Sequence, residues 1–246
     1  MNGAEADNTS LPKPPAQPVR ARGTPLPRPR DAASLLLVRT DGSEPRILMG
    51  LRHARHRFLP EAYVFPGGAV ESDDWRGGRR LRIHPDDKSR LMHSLSEARA
   101  HALFWAAIRE THEETGIDLL PLLGSGSGKG PIDARAMRYV ARAITPPYRP
   151  IRFDARFFML RAEAFPGNLG GDHELSDLRW VSMSETLTLP LARITRMILQ
   201  QIGAAILSGR EVAPVPCFRH RHGRQCLEFE QAVPLCSTGR ENPPAL

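Results

Sequence analysis

The amino-acid sequence predicts a mixed α/β fold (α+β in class), in which helices sandwich a mixed β-sheet. Apolar periodicity gives elements in the order strand, strand, helix, strands, helix, rather than the regular alternation of a doubly wound sheet. The chain has 246 residues, of which 41% are hydrophobic, which is enough for one domain with a sizeable core. A helix that carries several carboxylates follows a glycine turn and is the most specific feature of the chain.

The N-terminal part begins with residues 1–30, which are rich in proline and arginine. That composition supports neither a helix nor a core and predicts a disordered basic tail. Residues 34–39 and 46–50 are predicted strands. They form a hairpin because Asp41 and Gly42 supply a turn between them.

A third predicted strand ends at Phe65 and enters a tight turn at Gly67 and Gly68, where bare backbone lets a ligand approach closely. Residues 72–98 separate this turn from the carboxylate helix, and residues 88–99 are predicted to be helical. The carboxylate helix is expected to begin between residues 98 and 102. It stops at Gly116, which suits the left-handed position after a helix.

Strands and one long helix are predicted for the second half of the chain. Glycine-rich loops are expected at residues 122–131 and 170–174. The regular elements are strands at 151–160 and 178–182, a helix at 191–207, and a hairpin at 215–230 that turns at His222 and Gly223.

The carboxylate helix places three glutamates within five residues. At ~100° per residue, Glu110, Glu113 and Glu114 share one sector of the helix, opposite an apolar stripe. Like charges this close repel by roughly 1 kcal/mol per pair in water and about 4 kcal/mol at a protein surface. Bound Mg²⁺ or Mn²⁺ would reverse this, because both ions prefer oxygen ligands. The alternative is a solvated acidic face on which Arg109 pairs with Glu113.

Charge and cysteine content narrow the class of protein. The formal charge of +7 and the pI near 10 favour an anionic partner such as a nucleotide. Nucleic acid is disfavoured because only three Trp and three Tyr are present for base stacking. Three cysteines, an odd number, argue against a disulfide framework. The cysteine content therefore predicts a reducing, cytoplasmic setting. We expect no membrane span, since no apolar run approaches ~18 residues.

The glycine turn and the carboxylate helix together resemble the Nudix box of Nudix hydrolases, G-x5-E-x7-R-E-U-x-E-E-x-G-U, where U is bulky and apolar. Residues 109–117 match every fixed position, with Thr111 at the first U. Gly68 matches the opening glycine, and Asp74 stands where the box has glutamate. The interval from Gly68 to Arg109 is 41 residues instead of 14, so an insertion of 27 splits the box.

A split box of this kind resembles that of peroxisomal acyl-coenzyme A diphosphatases. The pattern of coenzyme A-cleaving relatives is matched in part, at Leu48, Arg52, Arg57 and residues 65–68. It is not matched at Met49, Gly50, His53 and Glu61. The resemblance implies a Nudix-type α/β/α sandwich over about residues 31–210, with the insertion at about 72–98, followed by a hairpin and tail at 211–246.

The resemblance implies hydrolysis of the pyrophosphate bond in a nucleoside diphosphate linked to another moiety, with Mg²⁺ or Mn²⁺ as cofactor. The implied metal ligands are Glu110, Glu113, Glu114 and the backbone carbonyl of Gly68. Arg109 is expected to hold the carboxylates in place by pairing with Glu113 or Asp74, rather than to contact substrate. Asp74 is either this partner or a residue of the insertion without a role.

Further residues are candidates for the reaction and for substrate binding. Glu110 is the first candidate to orient or deprotonate the attacking water, and Glu174 is a candidate base or additional metal ligand. Arg52 and Arg57 either bind substrate phosphates through their planar donor forks or are solvated loop residues. Gly67 and Gly68 are expected to border the bound phosphates.

The predicted substrate is a small nucleoside diphosphate derivative. Coenzyme A or acyl-coenzyme A is the first choice, giving 3′,5′-ADP and (acyl-)phosphopantetheine, and ADP-ribose or NADH is the alternative. A non-catalytic Nudix scaffold that binds a nucleotide or a nucleic acid is a further alternative. The sequence leaves the oligomeric state open.

Overall fold

The structure, a computed structural model, describes residues 27–55, 58–124, 130–165, 169–170 and 174–230. In these ranges the helices are α1 Asp74–Gly78, α2 Pro85–Met92, α3 Glu97–Thr115 and α4 Arg193–Ser208. The strands are β1 Arg30–Arg39, β2 Arg46–Arg52, β3 Tyr63–Val64, β4 Gly67–Ala69, β5 Leu81–Arg82, β6 Ile132–Asp133, β7 Arg138–Ile144, β8 Phe153–Ala162, β9 Leu175–Ser182, β10 Val215–Arg221 and β11 Arg224–Glu230.

Nine of these strands form one mixed sheet in the order β11-β10-β7-β8-β1-β2-β3, with β4 added to β1 and β9 to β2. The long central strands β1 and β8 run parallel, and their pairing extends from Arg30 opposite Phe153 to Arg39 opposite Ala162. β10 also runs parallel to β7, whereas the other pairs in this sheet are antiparallel. The C-terminal hairpin therefore extends the main sheet.

Helices cover both faces of the sheet, because the side chains of β1 alternate between two apolar cores. Leu35 and Leu37 pack with Phe104 of α3 on one face. Leu36 and Val38 pack with residues of α4, including Ile202, on the other. This layering confirms the predicted mixed α/β sandwich.

The carboxylate helix α3 is bounded by two local signals. Its first turn is capped by Ser96, whose hydroxyl accepts a hydrogen bond from the Arg99 N–H at 3.3 Å. Its end is the predicted Gly116, which takes φ 75° and donates its N–H to the His112 carbonyl at 2.8 Å. The Ser96 cap places the start of the helix at Glu97, slightly before the predicted residues 98–102.

The predicted helix at 88–99 is wrong in detail, because the chain forms two helices there. Pro85 begins α2, and its fixed φ suits a first helical turn. The Ser96 cap then starts α3 as a separate element. Other elements also escaped the sequence analysis, among them strands β5, β6 and β7 and the short helix α1. Strand β9 begins at Leu175 rather than at residue 178.

Strand β7 was missed because its arginines hide the pattern of a buried strand. Arg142 is three-quarters or more buried at the sheet, where its Nε and Nη2 donate to Asp154 at 2.9 and 2.8 Å. Such a residue scores as polar in a sequence, although its side chain is neutralised within the fold.

Several predictions fall on residues outside the described ranges. These are most of the basic tail, Arg57, and parts of the loops at 122–131 and 170–174. Within the described ranges, none of the four helices combines the length and hydropathy that a bilayer span requires.

A buried ion-pair network crosses the central strands. Arg156 of β8 is 1% exposed in its side chain and contacts Asp31 at 3.3 Å and Asp154 at 3.0 Å. Asp31 also accepts a hydrogen bond from Arg99 of α3 at 2.8 Å, and Asp154 accepts from Arg142 of β7. The network thus joins α3 to three strands through alternating acidic and basic side chains.

Replacing Arg156 by alanine should therefore destabilise the fold strongly. The change leaves a cavity and removes a guanidinium shared by Asp31 and Asp154, and breaking a buried ion pair typically costs about 3–5 kcal/mol. Urea denaturation of the purified protein measures this loss. As a control, Arg39→Ala removes an exposed pair with Asp41 and should cost less than about 1 kcal/mol. Equal losses of unfolding free energy in the two variants would show that the buried network stabilises the fold no more than an exposed ion pair does.

Candidate active site

The glycine strand β4 lies directly against the glutamates of α3. Pairing of β4 with β1 places Gly68 opposite Ala33 and Gly67 opposite Ser34. A Cβ added to Gly68 would lie 2.2 Å from Oε1 of Glu110, so only glycine fits here without displacing this carboxylate. The Gly67 N–H donates to Oε2 of Glu114 at 2.8 Å. The two halves of the split box therefore meet in space.

Arg109 ties the acidic residues of this region together. Its Nε and Nη2 donate to the two oxygens of Asp74 at 2.9 and 3.0 Å. Its Nη1 donates to Glu110 at 3.0 Å and to Glu113 at 2.8 Å, and Nη2 also reaches the Ala69 carbonyl at 3.1 Å. The expected pairing is present with both Asp74 and Glu113.

The Arg109 guanidinium is held in its charged form by this arrangement. Burial works against the charge, but the bond to Asp74 and the charges of Glu110, Asp74 and Glu113 outweigh burial and raise its pKa. A permanently charged fork with several carboxylate partners orients those partners, so Arg109 is placed as a positioning residue.

Glu110 and Glu114 have raised pKa values for related reasons. Burial raises the pKa of Glu110 to about 7, against the opposing effect of Arg109, with added repulsion from Glu113 and Glu174. Burial raises the pKa of Glu114 to about 8, opposed by the Gly67 hydrogen bond and by Arg52, with repulsion from Glu110 and Glu174. The negative charges of Glu110 and Glu174 are therefore both close enough to Glu114 to raise its pKa.

A cavity of about 700 Å³ opens beside these groups. The predicted site residues that line it are Arg52, Gly67, Gly68, Arg109, Glu110, Glu113 and Glu174. Glu114 lies behind them, 2% exposed, and faces Gly67. Arg57, the other predicted phosphate ligand, lies outside the described ranges.

The cavity also reveals residues that the sequence analysis did not single out. Glu71 lines it beside the acidic cluster, and its N–H donates to Asp74 at 2.7 Å. Tyr148, Arg149, Arg193 and His220 line it as well. These four come from a loop, a helix start and the C-terminal hairpin, and no spacing in the sequence links them.

The carboxylates at this site fit a divalent cation in chemistry, although they are not preassembled as a closed metal site. Among the described residues, no group of three or more His, Cys, Asp or Glu side chains already has metal-binding geometry. Burial nevertheless raises the pKa values of Glu110 and Glu114 in spite of the neighbouring Arg109 and Arg52, and a bound cation would favour their ionised forms. Their oxygens are the hard ligands that Mg²⁺ and Mn²⁺ prefer, and Glu113 is exposed and able to turn towards them.

Comparison with known proteins gave matches among solved structures. A scan against protein-family models found no match, and a search of curated proteins found none. The chain is similar to a Nudix hydrolase from Alicyclobacillus acidocaldarius, with 27% identity and a TM-score of 0.60, over 76% of this chain and 99% of that one.

Two further structures are more distant. A MutT Nudix hydrolase from Burkholderia pseudomallei has 19% identity and a TM-score of 0.44, over 72% of this chain and 99% of that one. The Nudix domain of Shewanella oneidensis NrtR, solved with ADP ribose, has 12% identity and a TM-score of 0.46, over 73% and 90%. The fold assignment rests on the Alicyclobacillus structure.

The chain has the Nudix-type fold. The predicted Nudix fold is confirmed, and so is the prediction of an enzyme of the pyrophosphohydrolase class. The likeness supports the resemblance to the Nudix superfamily and the coarser reaction, hydrolysis of a nucleoside diphosphate derivative. The likeness does not extend to the finer assignment, the acyl-coenzyme A diphosphatase branch.

The affinity for a divalent cation should increase as pH rises through the pKa values of Glu110 and Glu114. Folding raises the pKa of Glu110 to about 7 and of Glu114 to about 8, above the ordinary 4.5. Their ionised forms therefore destabilise the metal-free fold progressively as pH rises from 4.5 through 8, and a cation should relieve this cost. Titration calorimetry with Mn²⁺ should show proton release near neutral pH and a Kd at least ~10-fold lower at about pH 8.5 than at about pH 6.

The same titration with Glu110→Gln provides the control, because the glutamine side chain does not ionise and so releases no proton when the cation binds. This variant should bind more weakly, with a shallower dependence on pH. A wild-type affinity that does not change with pH would contradict the assignment of these carboxylates as ligands.

Asp74 can be tested as the anchor of Arg109. Asp74 is fully buried, so Asp74→Asn removes a charge that a buried guanidinium depends on and should cost about 3 kcal/mol of stability. The neighbouring Asp73 pairs with Arg76 while both are largely exposed, so Asp73→Asn should change stability by less than about 1 kcal/mol. Thermal and urea unfolding of the two variants compare them directly, and a tolerated Asp74→Asn would remove Asp74 from the site.

Proposed function

We propose that this protein is a Mg²⁺- or Mn²⁺-dependent diphosphatase that cleaves coenzyme A or acyl-coenzyme A. The observation that carries the metal-dependent part is the convergence of Glu110 and Glu114 on the glycine strand. Gly68 abuts one carboxylate and Gly67 donates to the other. This places negative charge and open backbone side by side at the mouth of a large cavity.

The cation would be held by Glu110, Glu113, Glu114 and the Gly68 carbonyl. When bound, it would supply positive charge to the pyrophosphate oxygens and lower the pKa of a coordinated water. Arg109 would keep Glu110 and Glu113 oriented through its existing hydrogen bonds. Glu113 is exposed enough to leave this pairing at little cost, since exposed ion pairs contribute at most ~1 kcal/mol.

Hydrolysis requires a group that accepts the proton of the attacking water. Glu110 is the first candidate, acting as the base instead of as a metal ligand, because its pKa of about 7 lies near the working pH of a general base. Glu174 is the second candidate, since it lines the cavity and acts electrostatically on both buried glutamates. The water oxygen joins one phosphorus as the bridging P–O bond breaks, and the leaving phosphate carries away the bridging oxygen.

Arg52 supports the assignment of a phosphate ligand. It lines the cavity, and its charge acts on Glu114. Its planar fork suits a diphosphate oxygen pair. Arg57 is proposed for the same role from its place in the coenzyme A-type sequence pattern.

The choice of coenzyme A over other diphosphates is supported by the split box and by the partial pattern around Arg52. ADP-ribose and NADH present the same pyrophosphate with other attached groups. A substrate panel in Mg²⁺ and Mn²⁺ decides among them. Release of 3′,5′-ADP from coenzyme A supports the proposal, whereas cleavage of ADP-ribose or NADH with coenzyme A untouched rejects it.

Catalytic variants test the metal-dependent mechanism. Glu110→Gln, Glu113→Gln and Glu114→Gln each remove an ionised ligand. Each should lower kcat beyond the ~10–100-fold that is typical of outer partners of a metal ligand. Glu97→Gln is the matched control on the same helix, because Glu97 pairs with Lys88 on the exposed first turn. Full activity in the first three variants would reject these carboxylates as the metal ligands of the reaction, whereas a wild-type chain without any hydrolysis would support a non-catalytic, nucleotide-binding scaffold.

A further inference from the structure

The cavity extends well beyond the acidic cluster, across one face of the main sheet. Strand register aligns Ala32 of β1, Ala155 of β8 and Ala143 of β7 in a row, and Phe218 of β10 continues it. All four residues line the cavity. Small side chains on three adjacent strands leave a trough between the glycine strand and the C-terminal hairpin.

The trough is long enough to separate two ends of a ligand. β1 pairs with the glycine strand β4, and β10 lies three strand spacings away from β1. At 4.7–4.9 Å per spacing, the separation is about 14 Å. A group bound at the hairpin end therefore lies too far from Glu110 to be the scissile diphosphate.

Aromatic and cationic side chains meet at the hairpin end. The ring of Tyr148 packs edge-to-face with His220 of β10 at 5.7 Å between centroids, and the Arg149 guanidinium lies 5.4 Å from the Tyr148 ring. Arg193 lines the same part of the cavity from the first turn of α4. Its positive charge adds to the positive end of the helix, an arrangement that costs stability unless an anion approaches.

The lowered pKa of His220 agrees with this placement of the two arginines. Its pKa is lowered by burial and then by the charges of Arg193 and Arg149. The nearby acid on the hairpin, Glu228, is already bound by Arg219 and Arg221. Among the described residues that line the cavity, the acids are Glu71, Glu110, Glu113 and Glu174, and they belong to the opposite end.

We propose that the hairpin end of the cavity binds an aromatic ring that carries its own phosphate monoester, separate from the diphosphate that is cleaved. Tyr148 and His220 would contact the ring, and Arg149 and Arg193 would bind the phosphate. The inference rests on the proposed function for the position of the diphosphate. It makes the C-terminal hairpin a determinant of specificity, and the preferred substrate a nucleoside phosphorylated on its ribose.

Product binding tests this subsite without any need for turnover. Adenosine 3′,5′-bisphosphate, adenosine 2′,5′-bisphosphate and adenosine 5′-monophosphate are titrated calorimetrically into the full chain in EDTA. At least one bisphosphate should bind ten-fold or more tightly than the monophosphate, and the tighter isomer identifies the ribose position. Equal affinity for all three overturns the inference, whatever the outcome of the hydrolysis assays.

Matched variants locate the bound phosphate. Arg193→Gln should abolish most of the preference for the bisphosphate, whereas Arg210→Gln removes the same charge beyond the other end of α4 and should leave the preference intact. Tyr148→Ala should weaken all three ligands by a similar factor, because each contains the ring. Equal losses in Arg193→Gln and Arg210→Gln, or a preference that survives Arg193→Gln, would overturn the assignment.

Discussion

The five N–H donors of Arg109 are the constraint on which the site depends. All five are used: two on Asp74, one each on Glu110 and Glu113, and one on the Ala69 carbonyl. Carboxylates this close would otherwise repel by about 4 kcal/mol per pair near a protein surface. Because the fork is planar and rigid, it fixes the directions of its partners as well as their charge. One side chain therefore joins α1, the glycine strand and α3.

The insertion explains how a split motif still assembles. Its residues fold into α1, β5 and α2, and α1 packs on α3 through glycines. A Cβ on Gly78 would lie 2.7 Å from the His101 backbone, and one on Gly77 would lie 2.1 Å from the Trp105 ring. This close packing brings Asp74 into contact with Arg109, although 35 positions separate them in the sequence. The sequence interval between the two halves is long, but the contact between them is direct.

The sequence predicted what is local and missed what the topology assembles. Helical spacing and Gly116 were enough to identify the carboxylate helix and its buried stripe, because those signals lie within one element. The motif spacing also pointed to Asp74. In contrast, Tyr148, Arg193 and His220 come from three separate elements. They meet only because β10 pairs parallel with β7, a long-range contact that periodicity does not encode. Buried arginines also hid strand β7, since their neutralising partners lie on other strands.

Paired charges, in addition to strand pairing, hold the C-terminal hairpin beside the cavity. The register between β10 and β7 covers only two residue pairs. Glu230 at the end of β11 accepts hydrogen bonds at 2.8 Å from Arg142 and from the Tyr139 hydroxyl, both on β7. Arg142 continues to Asp154, and the network passes through Arg156 and Asp31 to α3. A chain of paired charges therefore runs from the hairpin to α3, the helix that carries Glu110, Glu113 and Glu114. Because these links are buried or half-buried and costly to break, the network ties the hairpin end of the cavity to the helix at its acidic end.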